Sequence, residues 1–334
     1  MHNLYHNIKN WLKHLRIFAL GALFLITVAF ASNHFEISKN LDVFVTLFKQ
    51  LQVNYVDEID PSTLIKTAID EMLGSLDPYT NYIPQDEIED LRFMTTGQYG
   101  GVGALIQKND RFVRISDPYF GFPAQKAGLN SGDIIIEINN KSIKDLSTED
   151  VSNLLRGQPG TSVNLLIQRI NSEKPIEKEV VREEIKIDNI PYAGIVDDNV
   201  AYIKLTGFTQ NAGQELKQKF IDLKKETNLS GVVIDLRGNG GGLLNEAVNI
   251  TNIFVDKGQL VVSTKGKIEQ RNTLHKTLNQ PIDTQIPLVI LVDRGSASAS
   301  EIVAGAIQDF DRGLIIGQRT FGKGLVQNVV SLSY

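Results

Sequence analysis

Residues 231–255 read GVVIDLRGNGGGLLNEAVNITNIFV. Gly231 to Leu236 is an apolar run of the kind that forms a strand covered on both faces. Arg237-Gly238-Asn239-Gly240-Gly241-Gly242 then interrupts regular structure, and Asn245 to Val255 returns apolar residues at helical spacing. The same alternation surrounds this stretch. Val200 to Leu205 reads as a strand before a helix at Gln214 to Lys225, and Pro287 to Val292 (PLVILV) as a buried strand before a helix at Glu301 to Phe310. A last strand covers Gly313 to Gly317. Strands alternating with helices from residue 186 onward predict a parallel-rich sheet with right-handed crossovers.

Upstream the texture differs. Gly97, Gly100, Gly101 and Gly103 lead into Ala104-Leu105-Ile106, and Phe112 to Ile115 follows as a strand. Phe122 to Leu129 reads as a short helix, Ser131-Gly132-Asp133 as a turn and Ile134 to Asn139 as a strand. A helix at Thr148 to Leu155 and a strand at Val163 to Arg169 complete the pattern. This arrangement resembles a PDZ domain, most of all between Ala127 and Asn139. Such domains bind a chain end by strand addition, with a glycine-rich loop offering N–H groups to the carboxylate. The resemblance puts that loop at Tyr99, Gly100, Gly101, Val102 and Gly103.

Residues 37–95 read as helices: Leu41, Phe44, Leu47, Phe48 and Leu51 share a face, as do Leu64, Ala68, Ile69, Met72 and Leu73. Asp60-Pro61-Ser62 starts the second helix and Leu76-Asp77-Pro78-Tyr79 ends it. Before them, Lys9, Lys13 and Arg16 precede the uncharged run Ile17 to Ala31 (IFALGALFLITVAFA), which ends in a small-x-small triplet at Ala29-Phe30-Ala31. That is the layout of a secretory signal or of a single uncleaved anchor, and its positive charge precedes the apolar run. The remainder is then expected outside the cytoplasm, in the periplasm or cell envelope, with the inner membrane as the attachment if the segment stays.

Composition narrows the chemistry. The 334 residues hold 34 Lys+Arg against 39 Asp+Glu, five His and no Cys, and 42% are hydrophobic. A net charge of −5 gives no basic footprint for nucleic acid. Without Cys there is no thiolate zinc site, disulfide framework or cysteine nucleophile. His2, His6, His14 and His34 flank the apolar N-terminal run, which leaves only His275 for the globular part. A two-His metal site is disfavoured, and a Ser-His-Asp triad would hang on that one residue. No metal and no cofactor are expected.

In sheets of this kind ligands gather beyond the carboxyl ends of the strands. The loop after Leu236 is rich enough in glycine to turn N–H groups towards a ligand. It lacks GxxxxGK followed by Ser or Thr, and lacks a correctly placed GxGxxG, so an oxyanion site suits it better than a phosphate cradle. After Val292 comes Asp293-Arg294-Gly295-Ser296-Ala297-Ser298-Ala299-Ser300-Glu301, a turn of small residues opening a helix, where a hydroxyl gains from the positive end of the dipole. Pattern does not choose among Ser296, Ser298 and Ser300. Further on, Thr320-Phe321-Gly322-Lys323-Gly324-Leu325 isolates a lysine in an apolar context, and a desolvated neutral amine can take a serine proton.

GSASASEIVAGAIQD (295–309) followed by GQRTFGKGLVQ (317–327), with DLRGNGGGLLNEAV (235–248) and the PDZ-like region before them, resembles the C-terminal processing peptidases, also called tail-specific proteases. The resemblance implies Ser298 as nucleophile, Lys323 as general base and Gln327 as the residue that orients the lysine. It implies oxyanion donors at the N–H of Ala299 and of a glycine in the 240–242 run, with Gly241 preferred. The implied fold is multidomain α/β: a signal or anchor at 1–31, a helical region at 32–96, a PDZ domain at 97–185 and a ClpP/crotonase-type β/α catalytic core at 186–334. The chain stops seven residues after Gln327, sooner than the family's usual end, so a C-terminally truncated core is expected.

Three functions follow as expectations. The first is an exported serine endopeptidase whose PDZ domain captures protein substrates with accessible hydrophobic C-termini. The second is a non-catalytic PDZ peptide-binding protein with an incomplete hydrolase domain. The third, a crotonase-like enzyme acting on acyl thioesters, leaves Ser298 and Lys323 without a role.

Overall fold

The computed structural model describes residues 35–85, 88–170 and 172–332, with the backbone alone at 89–91. The signal or anchor expected at 1–31 lies outside the described residues. Among those described, no helix is long and apolar enough to cross a membrane. The chain divides into two compact units between Tyr82 and Ile83.

In the first unit α1 covers 35–54 and α2 covers Pro61–Gly74. Asp60 caps α2 by accepting the N–H groups of Ser62 and Thr63 at 3.3 and 3.1 Å, and Pro61 fills the first position, where no N–H is needed. The helical periods hold, yet the stripes they define stay open. Leu41 is 59% and Leu47 56% exposed, and no described residue of this unit is buried. Among the described residues of this unit, no further layer packs on the two helices to close a core.

The second unit begins with α3 (Ile88–Thr96) and contains two cores. The first belongs to an antiparallel sheet in the order β2 (Ala104–Asn109), β3 (Phe112–Pro118), β4 (Ile134–Ile138), β6 (Ser162–Gln168), β7 (Ile176–Val181), with the short β5 (Lys141–Ser142) on β4. β1 (Gln98–Gly101) and β8 (Glu183–Lys186) pair as a separate ribbon. The helices α4 (Pro123–Lys126) and α5 (Thr148–Leu155) contribute Ala124, Val151 and Leu155 to this core. Ser147 caps α5 in a reciprocal box with Asp150, each N–H reaching the other's side chain at 3.0 Å. Asp133, 1% exposed, grips Arg169 through two bonds of 2.8 and 2.7 Å. Burial pushes its carboxyl up, but Arg169 and the Asn130 N–H outweigh this and hold it below the ordinary range.

The second core lies under the sheet β15 (Leu314–Gly317), β14 (Leu288–Val292), β11 (Gly231–Asp235), β10 (Val200–Lys204), β9 (Tyr192–Val196). The first four run parallel and β9 closes one edge antiparallel. α6 (Ala212–Glu226), α7 (Leu244–Phe254) and α8 (Ala299–Asp309) follow β10, β11 and β14, and pack neighbour against neighbour. Register puts Ala201, Val232 and Leu288 side by side, and Ile203, Ile234 and Ile290 beside them, all buried. The alternate residues Tyr202, Val233 and Val289 are only partly covered. The strands expected to be sealed on both faces are thus sealed on one, because the three helices form a single row.

Candidate active site

Four segments leave the carboxyl ends of β10, β11, β14 and β15, and hydrogen bonds stitch them together. Fully buried Asn239 is the knot: its amide donates to Leu205 O at 2.9 Å, and its own carbonyl accepts Ala297 N–H at 3.1 Å and Ser300 Oγ at 2.9 Å. Ser296 Oγ donates to Leu236 O at 2.8 Å, and Phe321 N–H to Ser296 O at 3.0 Å. The glycine loop, the serine turn and the lysine segment form one site.

Burial separates the three serines that pattern left equal. Ser296 and Ser300 are fully buried with their hydroxyls spent on those carbonyls. Ser298 is half-buried and stands immediately before α8, at φ 55 and ψ −112. A non-glycine residue in such a conformation costs roughly 1–3 kcal/mol and persists only where its surroundings enforce it. Ala299, the first residue of α8, has no intrahelical acceptor for its N–H.

Gly241 lies against this turn. A Cβ built on it would meet Ala297 O at 2.7 Å, Ser298 Cβ at 2.9 Å and Ala299 N at 3.0 Å, and its φ is +102. Only glycine fits there. Its N–H, the preferred second oxyanion donor, is bonded to Asn239 Oδ1 at 2.9 Å. The N–H groups of Gly240 and Gly242 donate to nothing among the described residues.

Lys323 follows β15 in a stretch, 318–332, without regular structure. Its Nζ donates to Gln327 Oε1 at 2.7 Å, so lysine and glutamine are brought together. Ser298 Oγ and Lys323 Nζ are not hydrogen-bonded to each other. The apolar surround expected for the lysine is open: Phe321 is 60% and Leu325 52% exposed. Among the described residues β15 is the last strand of its sheet, and the segment after it forms no strand.

Sequence reading passed over Glu301. Its carboxylate accepts Ser298 N–H at 2.8 Å, Thr320 Oγ1 at 2.7 Å, Gly322 N–H at 2.7 Å and Lys323 N–H at 2.9 Å. Burial pushes the carboxyl up, but these bonds prevail and hold it below the usual range. Ser298-Ala299-Ser300-Glu301 is legible as a capping signature; the reach to residues 320–323 is not. Asp235 was passed over as well. Fully buried at the end of β11, it accepts Tyr202 Oη at 2.6 Å and Arg237 Nε and Nη2 at 2.9 and 2.8 Å. Burial opposes ionisation, and these bonds override it, which fixes the root of the glycine loop. His275 sits in β13 (Thr273–Lys276), paired with β12 (Leu260–Thr264), and in none of the four segments.

The expected tail-binding loop borders an edge strand. β2 is at the end of its sheet, and the N–H groups of Val102 and Gly103 donate to nothing among the described residues. Gly103 has φ +72, and a Cβ on Gly100 would fall 2.0 Å from Gly157 O. A cavity of about 370 Å³ lies beside β2, lined by Ile106, by Ser152 and Arg156 of the α5 region, and by Phe93 and Met94 of α3. Tyr99 packs edge-on against Phe93 at 5.4 Å, and burial pushes its phenol up to about 12.

Comparison with known proteins adds to this geometry. The sequence model of peptidase family S41 matches residues 199–334, and that of a PDZ domain residues 114–169. The chain is 34% identical over 320 residues to the carboxy-terminal-processing protease of Bartonella bacilliformis, covering 95% of this chain and 73% of that protein. It is 37% identical over 291 residues to a probable CtpA-like serine protease of Staphylococcus aureus (strain N315), covering 86% of this chain and 57% of that one. It thus spans little more than half the length of the staphylococcal relative. Among solved structures, a photosystem II D1 C-terminal processing protease superposes with TM-score 0.47 and 31% identity, over 86% of this chain and 83% of that chain. With a relative of 34% identity matched over 95% of this chain and 73% of that protein, and the family model over residues 199–334, the chain belongs to peptidase family S41.

Proposed function

We propose that this protein is an exported serine endopeptidase that holds the hydrophobic carboxyl terminus of a protein substrate in its PDZ domain and cleaves the nearby chain at Ser298. Lys323, as the neutral amine, takes the proton from Ser298 Oγ while the oxygen attacks the peptide carbonyl. The developing oxyanion accepts N–H bonds from Ala299 and from the 240–242 run. The intermediate collapses to an acyl-enzyme as Lys323 returns the proton to the leaving amine, and water then releases the acyl group by the same base. Gln327 holds the lysine. The catalytic core is read as crotonase-type, which the succession β10-α6-β11-α7-β14-α8-β15 supports. Export to the periplasm or cell envelope, with the inner membrane as the attachment if the N-terminal run is kept, rests on the charge and apolar pattern of residues 9–31.

One observation carries the reading: the half-buried Ser298, on a left-handed turn before a helix, has Gly241 pressed against it and shares a carboxylate with the N–H of Lys323. In the reacting form Lys323 Nζ reaches Ser298 while one N–H stays on Gln327, and if Gly241 is the donor its N–H leaves Asn239. Full-length protein with Ser298→Ala or Lys323→Ala is expected to lose at least about 10³-fold in cleavage of a tail-bearing substrate, with tail-peptide affinity unchanged. Cleavage by Ser298→Ala at the parent rate would sink the assignment. The missing Ser298–Lys323 bond favours a second reading, a non-catalytic peptide-binding protein, which predicts tail binding and no turnover in the parent.

A further inference from the structure

Glu301 does more than its place in α8 requires. An acid three residues after a helix-capping serine ordinarily returns to the serine's own N–H, and the Ser298 bond is accounted for that way. The other three bonds are not. Thr320 Oγ1, Gly322 N–H and Lys323 N–H all come from the segment that carries the lysine, and that segment has no strand partner to hold it. Capping alone does not call for glutamate either. At α5 the same reciprocal box is made by the shorter Asp150, at 3.0 Å in both directions. The extra methylene at α8 is what reaches the second segment.

The carboxylate is also saturated. Oε1 takes Thr320 and Gly322, and Oε2 takes Ser298 and Lys323, so each oxygen has two donors. A glutamine in either amide orientation would aim its NH₂ at two of them. The backbone nitrogens of Ser298 and Lys323 meet on a single oxygen, which ties these two residues to each other beside the Phe321 N–H bond to Ser296 O.

We propose that Glu301 is a positioning residue: its ionised carboxylate locks the turn of Ser298 and the backbone of Lys323 into one frame, and so sets the distance over which the proton passes. This rests on the Ser298–Lys323 reading given above. Misplacement by about 1 Å is enough to cost about 10²-fold.

The test uses the full-length protein and a fluorophosphonate probe, whose labelling rate at serine is followed with thermal melting and tail-peptide affinity. Glu301→Asp keeps an acid able to cap α8 and shortens the reach. It is expected to slow labelling about 10²-fold, with melting and peptide affinity little changed. Thr320→Val, which leaves α8 untouched, is expected to slow labelling in the same direction by about fivefold. In a Lys323→Ala background Glu301→Asp is expected to add nothing, because the group it positions is gone. Labelling of Glu301→Asp within about twofold of the parent, or an equal further loss in the Lys323→Ala background, overturns the proposal. Labelling that persists in Ser298→Ala overturns the nucleophile assignment and this proposal with it. Loss in Ser298→Ala with parent-like Glu301→Asp overturns this proposal alone.

Discussion

Ser298 has an unfavourable backbone, and Gly241 beside it has no room for a side chain. These two facts define one tolerance. Gly241→Ala is expected to push the serine turn away from the glycine loop, to lower activity by at least about 10²-fold and to destabilise by about 1–3 kcal/mol. Kinetics and melting of the same preparation test both, and parent-like values for each would refute the packing argument. Asn239 has a different role. Its amide bonds Leu205 O and Gly241 N–H from full burial, so Asn239→Ala orphans a carbonyl and an N–H at once. A loss of about 2–4 kcal/mol in chemical denaturation is expected. Neither consequence is legible in the string RGNGGG, which announces a turn without saying what presses on it.

At the level of elements, β2 leaves one edge open next to the loop whose Val102 and Gly103 N–H groups find no described acceptor. Gly103 is at φ +72, and a Cβ there would lie 2.6 Å from the Phe122 side chain. Gly103→Ala is therefore expected to weaken binding of a hydrophobic tail peptide by about tenfold or more, measured by titration, while hydrolysis of a small ester substrate is unaffected. The turn between α4 and β4 carries a pH dependence. Asp133 holds its proton less tightly when folded than when unfolded, because Arg169 and the Asn130 N–H favour the anion. Its contribution is complete above the unfolded carboxylate range, near pH ~4, and fades as pH falls through the lower folded value. Asp133→Asn is expected to cost about 3 kcal/mol at pH 7 and less at pH 3. A gap in melting temperature from the parent that does not narrow on acidification would contradict this. The elements themselves were largely readable. Thr148–Leu155 is α5 to the residue, and α6, α7 and α8 lie within two residues of their apolar periods. The misses were β1, taken as part of the glycine loop, β5, β7, β8 and β9 and the β12–β13 pair, short or partly exposed strands whose side-chain alternation is weak.

Across the whole molecule, burial divides the chain at Tyr82–Ile83. Both cores lie after that point, and the described residues before it bury nothing. Limited proteolysis is expected to cut within residues 35–82 first and to leave a resistant body beginning near Ile83; early cuts inside β10–β14 would refute this. The features legible in the amino-acid string are local and periodic. Alternating apolar runs marked the parallel sheet, glycines and proline marked the turns, and the absence of Cys with a single His after residue 34 pointed to the serine and lysine proposed above. The remainder depends on contacts between segments far apart in the chain. Ser298 stands out from Ser296 and Ser300 because two distant carbonyls bury the others' hydroxyls. Glu301 becomes a link because residues 320–323 arrive beside it, and the Gly241 N–H is turned to Asn239. Periodicity records which face of an element is apolar; which atoms meet across that face is set when the strands take their register and bring four loop ends to one place.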